Sequence, residues 1–347
     1  MSRPRGVHLV GSVNYDDVDT TITKASEILG DRLRRVPDGE VGRRFHWILF
    51  QADVLGEAEG VERVGDHPIP VGAGIDARPV RVADGVDPAT LRLPPLGYAE
   101  AALESYARFV ALRDAGIVPD GARFQVSLPT PLAVVAAFFP PEQHAAVEPV
   151  YRDALYRELD EILAAIPHED LAIQWDNAVE FEHVGYRSKP PVEPWWGDVW
   201  DGLAERSIEQ AARVPDDVEV GFHLCYGDVG ERHFIEPKDA GNLVRFANQV
   251  LEGATRRIDW IHLPVPIDRD DDAYFAPLAG LRLPEQTEIY LGLVHREDGV
   301  EGAERRIATA SRHLDRFGVS TECGIGRAPA GTTEDLLRTH AAVASTW

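Results

Sequence analysis

The sequence predicts an α/β protein built as one domain, 1–347: a single (β/α)8 TIM barrel with long loop insertions after its second and fourth strands. Three observations predict it. Eight short apolar runs alternate with amphipathic helical stretches. The length of 347 residues matches a barrel of roughly 250 residues enlarged by loops. Polar or reactive side chains stand at the end of every run, where a barrel of this kind keeps its chemistry.

In chain order, the first run is 6–12 (GVHLVGS), ending at Ser12, and a helical pattern over 17–29 follows it until Gly30 stops it. The second run, 32–38 (RLRRVPD), ends at Asp38 with Glu40 just beyond, and a long connection, 41–97, leads to a helix over 98–116. The third, 122–130 (ARFQVSLPT), ends at Thr130 and precedes a helix over 148–166 closed by Pro167. The fourth, 171–178 (LAIQWDNA), carries Asp176 and Asn177 at its end; the connection 179–202, with Trp195, Trp196 and Trp200, then leads to a helix over 203–214. Connections as long as these two are usually lids or binding loops. The fifth run, 218–226 (VEVGFHLCY), holds His223 and Cys225 and is followed by a helix over 237–253. The sixth, 258–265 (IDWIHLPV), holds His262; the seventh, 288–295 (EIYLGLVH), ends at His295 and precedes a helix over 300–317. The eighth, 318–325 (GVSTECGI), holds Glu322 and Cys323, and a helix over 333–345 completes the alternation.

Composition narrows the class of function. With 35 Lys and Arg against 58 Asp and Glu, the formal charge of -23 repels phosphate backbones and anionic lipid, so nucleic acid and membrane surfaces are not expected partners. No apolar run reaches the ~18 residues of a membrane span. The N-terminal MSRPRGVHLVGSV lacks the apolar length and cleavage site of a signal peptide, and the expected location is the cytoplasm. Two cysteines, Cys225 and Cys323, form no disulfide framework.

His223 and Cys225 stand two apart on a strand, so both point to one face, about 7 Å apart at Cα. Barrel closure brings the end of the eighth strand, with Cys323, to the same mouth. Two thiolates and an imidazole suit Zn2+, and three protein ligands with an open fourth position mark a catalytic site. A buried histidine beside a small apolar cysteine is the plain alternative for the His-x-Cys pair.

The segments GSVN, PDGEVGRR, LPTP, QWDNA, HLCYGD, LVHRED and TECGIGR occur in an order that resembles the catalytic C-terminal barrel of cobalamin-independent methionine synthase, a member of the uroporphyrinogen decarboxylase and methionine synthase-like superfamily. The resemblance spans nearly the whole chain. It implies a methyltransferase in which zinc binds the thiol of homocysteine and the thiolate takes a methyl group from a folate. Residue by residue it implies His223, Cys225 and Cys323 as zinc ligands, and Gly11 and Ser12 as the hold on the amino-acid carboxylate. It implies Glu40 and Asp176 as the hold on the ammonium group, and His295 as the acid that protonates the leaving nitrogen or orients the site.

Three departures from the family pattern bear on these expectations. The family's fourth ligand, a glutamate, falls at His262; either His262 completes a Cys2His2 shell, or it supports a ligand or contacts the substrate and the fourth position is open. The family's Asp-Glu-Pro run is here Asp176-Asn177-Ala178, with Asp176 and Asn177 both expected at the substrate. No folate-stacking aromatic stands at Pro129-Thr130-Pro131-Leu132. Trp195 and Trp196 are the candidates to stack on a flat donor, pterin or other; capping the barrel or a subunit contact is their other role. The expected reaction is methyl or alkyl transfer to a small thiol, from methyltetrahydrofolate or another methylated compound. Addition of a thiol to an epoxide, demethylation of a methoxy compound, and zinc binding without catalysis are the alternatives.

Overall fold

The computed structural model describes residues 3–184, 192–227, 233 and 236–347. Its centre is a parallel sheet of seven strands: β1 (Arg35–Pro37), β2 (Arg123–Pro129), β3 (Leu171–Asn177), β4 (Glu219–Leu224), β5 (Trp260–Pro264), β6 (Glu288–Val294) and β7 (Gly318–Thr321). Each pairs with its neighbours in chain order. The seven correspond to the second to eighth apolar runs.

The first run does not form a regular strand. Val7 makes isolated parallel bridges both to Leu33, beside β1, and to Val319 on β7, and Ser12 bridges to Gly39. Hydrogen bonds run from Val7 N–H to Arg32 O (2.8 Å) and from His8 N–H to Val319 O (3.0 Å). One segment thus touches both edges of the sheet, which is therefore curled and barrel-like.

Period-two alternation sorts the strand residues. Phe124, Val126, Leu128, Ile173, Trp175, Val220, Phe222, Leu224, Ile261, Leu263, Ile289, Leu291 and Leu293 are buried; these are the alternate positions that meet the surrounding helices. Their neighbours fill the inside of the curl with polar groups: His8 Nε2 lies 2.8 Å from Gln174 Oε1, and Gln125 Nε2 donates to Leu9 O at 3.0 Å. Burying such groups is tolerable only because they find partners. At the strand beginnings Ala172, Trp260 and Tyr290 form a separate apolar cluster on which Trp347 packs.

Register places the site. Pro129 pairs with Asp176, Asp176 with His223, His223 with His262, and His262 with Tyr290. Asp176, His223 and His262 therefore stand in one row across three adjacent strands, near their C-terminal ends.

Helices Val18–Leu29, Tyr98–Asp114, His144–Ala165, Val199–Ala212, Gly241–Gly253, Gly299–Ala310 and Thr333–Val343 follow the helical patterns of the sequence. A further helix, Pro131–Phe138, has no counterpart among them. Thr130 caps it by accepting from Ala133 N–H (3.1 Å), and Pro131 occupies its first turn. Six of its eight residues are buried, so it lacks the amphipathic period by which a surface helix is recognised.

Between β1 and Tyr98 the chain forms a 3-10 segment (Gly42–Phe50), a short helix (Gln51–Gly56) and two small antiparallel strand pairs. Buried Ile48, Phe50, Leu55, Val80 and Val82 tie it to the core. Of the connection after β3, residues 185–191 lie outside the described residues, as does Asp228 of the HLCYGD segment. Among the described residues no helix is long and apolar enough to cross a membrane.

Candidate metal centre and substrate cavity

His223 lies one step from the end of β4, and Cys225 extends that strand's ladder through its N–H to Asn177 O (2.9 Å). Their parity turns both inward, as their spacing predicts. Cys323 lies two residues past Thr321, the last residue of β7. The three donor atoms lie within 4.8 Å of one another. Cys225 Sγ is 3.6 Å from Cys323 Sγ, which is 3.7 Å from His223 Nε2. Zn–S and Zn–N bonds of about 2.3 and 2.0–2.1 Å require tetrahedral edges of roughly 3.5–3.8 Å. These two separations meet that requirement, the third is bounded by the 4.8 Å that contains all three atoms, and two thiols with one imidazole fit zinc in chemistry.

His262 is not one of the converging donors. Its Nδ1 lies 2.7 Å from His223 Nδ1 and its Nε2 lies 2.9 Å from Thr321 O, so both ring nitrogens are engaged. The reason is register: His262 pairs with His223, one pleat below Cys225, and so stands behind the histidine rather than beside the thiols.

The donors form one wall of a cavity of about 300 Å3, which Ser12, Glu40, Trp47, Asp176 and Arg327 also line. That volume is at the lower end for small-molecule sites. Gly11 lines it too: a Cβ there would stand 3.2 Å from both Glu40 Oε1 and Ser127 Oγ, so glycine gives the Glu40 carboxylate its room. Glu40 itself has φ of 52°, a left-handed conformation held by its N–H to Asp38 Oδ1 (2.9 Å), while Asp38 is paired with Arg44 (2.5 Å). Ser12 is gripped from the other side. Its carbonyl accepts from Ile325 N–H (2.8 Å), its Oγ accepts from Gly326 N–H (3.3 Å), and a Cβ on Gly324 would come within 2.2 Å of that Oγ.

Two carboxyls share this cavity. Burial pushes Glu40 up to about 7, with Asp38 adding to the rise and Arg44 opposing it. Burial, then the charge of Glu40, holds Asp176 well above the usual carboxylate range, although Gln174 Nε2 donates to it at 2.9 Å. The pair is poised to receive a cation or to hold a proton.

Four expected site residues stand elsewhere. Asn177, one position after Asp176, has the opposite parity; its Nδ2 donates to Ser207 Oγ at 3.1 Å on the helix side of the sheet. Trp195 donates to Glu148 Oε2 (2.6 Å) and packs edge-on against His144, and Trp196 lies under the Arg206 guanidinium (4.1 Å). Those two tryptophans join the helix Val199–Ala212 to the helix His144–Ala165 and do not line the cavity. His295 borders an adjoining cavity of about 280 Å3 on the far side of Cys323. Its Nε2 meets Val265 O at 2.9 Å, and burial lowers its pKa.

The aromatic residue that does line the site is Trp47, within the connection after β1. Its backbone is left-handed, with φ 54° and ψ -120°, and its side chain hydrogen-bonds to Asp176. Such strain in a bulky residue persists only where the surroundings hold it. Arg327, in the TECGIGR segment, borders both cavities and approaches Cys323 Sγ at 3.8 Å. The sequence offered one signal for Trp47, an aromatic run (FHWILF) directly after the acidic PDGEVGRR segment.

No family model and no curated protein matches the sequence. Solved structures do match the fold. A Listeria monocytogenes protein assigned as a vitamin-B12 independent methionine synthase superposes with a TM-score of 0.59 at 15% identity, over 99% of this chain and 98% of that one. A B12-independent methionine synthase from Shewanella sp. W3-18-1, in complex with selenomethionine, gives 0.54 at 14%, over 98% and 96%. A methyltransferase from Methanosarcina mazei gives 0.56 at 11%, over 99% and 94%. At such identities the likeness is one of fold, shared end to end.

Proposed function

We propose that this chain, folded like cobalamin-independent methionine synthases, transfers a methyl or alkyl group to a small amino-acid thiol of the homocysteine kind. The reading counts the segment around Val7 as the eighth strand of a (β/α)8 barrel. The observation that carries it is the meeting of His223, Cys225 and Cys323 at the wall of a cavity that also holds Glu40 and Asp176.

Zinc, when bound by those three residues, lowers the pKa of a substrate thiol and so provides a thiolate at neutral pH. The remaining roles belong to the protein. Gly11 and Ser12 receive the substrate carboxylate at the cavity rim. Glu40 takes the ammonium group, which fixes the sulfur against the donor carbon. Sulfur attacks that carbon, a C–S bond forms, and the C–N or C–O bond breaks with its electron pair on the heteroatom. Asp176, whose pKa is raised by burial and by the charge of Glu40, gives that atom its proton, a step worth about 10²–10⁴-fold. The flat face of Trp47 supplies the stacking surface for a ring-bearing donor such as a methylated folate, and it covers the acid from water. His295, across Cys323, would serve a leaving group that extends into the adjoining cavity.

Metal analysis coupled to a thiol assay tests the reading. Protein as purified should carry about one zinc per chain and form a methyl thioether from homocysteine with at least one of a panel of methyl donors, methyltetrahydrofolate included. Cys225→Ser and Cys323→Ser should lose both metal and product. Stoichiometric zinc in either variant, or thioether formation by metal-free protein, overturns it.

A further inference from the structure

We infer that His262 is a positioning residue that fixes the tautomer of His223, and that the relay His223–His262–Thr321 aims the His223 Nε2 lone pair at the two thiols. The argument starts from an atom with no choice. Thr321 O can only accept a hydrogen bond, and His262 Nε2 lies 2.9 Å from it, so that nitrogen carries the proton. His262 is fully buried, where a neutral ring is favoured, and a neutral ring has one N–H. The Leu224 carbonyl also faces this ring, but the close contact at Nδ1 is with His223 Nδ1, and Nδ1 is the acceptor in it. His223 Nδ1, 2.7 Å away, must supply the hydrogen, and this leaves His223 Nε2 unprotonated at 3.7 Å from Cys323 Sγ. A metal-binding histidine commonly gives its second ring N–H to an oxygen; here a second histidine, itself fixed by a backbone carbonyl, takes that place.

Thr321 couples the relay to the cysteine turn. Its carbonyl holds His262 while its Oγ1 donates to Cys323 O at 2.7 Å. Behind it stands Gly292 on β6, at a register shift between β6 and β7. A Cβ on Gly292 would lie 2.9 Å from Thr321 O and 2.7 Å from Glu322 Cα, both backbone atoms that cannot turn aside. Glycine at 292 thus lets the Thr321 carbonyl reach the histidine.

The consequence for metal affinity rests on the zinc reading above; the tautomer does not, and the two are tested separately. In metal-free wild-type protein, imidazole nitrogen NMR should show His262 protonated at Nε2 and His223 at Nδ1; the opposite pattern overturns the relay. Cobalt(II) affinity, by competition with a chelator, should fall about 10–100-fold in His262→Ala, with two sulfurs and one nitrogen still counted by X-ray absorption. His262→Gln, whose amide can both donate to Thr321 O and accept from His223, should recover most of that loss. Gly292→Ala should reproduce part of it without touching either histidine. Affinity of His262→Ala within twofold of wild type refutes the positioning role, and loss of a nitrogen ligand makes His262 a ligand instead. Wild-type protein that takes up no cobalt refutes the zinc reading, and the nitrogen shifts then decide the relay alone.

Discussion

Glu40 shows what a single residue contributes and what it costs. Its carboxyl titrates near 7 because the fold buries it, so the folded chain binds this proton more tightly than the unfolded chain does. By linkage, that contribution to stability is complete below the ordinary carboxylate pKa and is lost as pH rises through about 7. Glu40→Gln, neutral at every pH, should match wild type in thermal midpoint at pH 5 and exceed it at pH 8; no gain at pH 8 would mean the buried charge is not strained. On the proposed reading, the same variant should raise KM for homocysteine at pH 8 about tenfold, the worth of one charged hydrogen bond. Parity explains the neighbouring outcomes. Asp176 and Asn177 were equal candidates in the sequence, yet one pleat step sends the first into the cavity and the second towards Ser207.

Among the elements, strand ends carry the site and strand packing sets its position. Gly221, two residues before His223 on β4, pairs with Trp260 on β5, and a Cβ there would lie 2.0 Å from the indole. Gly221→Ala should destabilise the protein by about 1–3 kcal/mol through overpacking, read as a lower urea midpoint. An unchanged midpoint would show that the indole has room to turn. Seven of the eight apolar runs became strands of one parallel sheet because alternate burial is written locally, as is the amphipathic period of most helices. Helix Pro131–Phe138 escaped that test because nearly all its residues are buried. Trp195 and Trp196 were read from their loop as substrate-facing, but loop composition says nothing of which helices a ring will meet; Trp47 took the cavity wall instead.

For the whole molecule, closure around the segment of Val7 brings Ser12, Glu40 and Cys323 to one mouth from opposite ends of the chain. Trp347 seals the other end: its Nε1 donates to Arg32 O (3.1 Å), its ring lies 3.9 Å from the Arg34 guanidinium, and it packs on Tyr290. Trp347→Ala should cost about 1–3 kcal/mol in denaturant unfolding while leaving metal uptake at the far end unchanged; a loss of metal would show that the two ends are coupled. The net charge of -23, which first argued only about partners, includes the two buried acids at the site. The sequence by itself determined the alternation of strands and helices, the strand ends on which reactive residues stand, and the scarcity of cysteine that singles out Cys225 and Cys323. Each of these is a local pattern of burial or composition, printed in consecutive residues. Tertiary structure alone decided that His262 stands behind His223 rather than beside the thiols, that Trp47 faces Asp176, and that His295 lies across Cys323. Those outcomes depend on register and on contacts between residues tens to hundreds of positions apart, which no local period encodes.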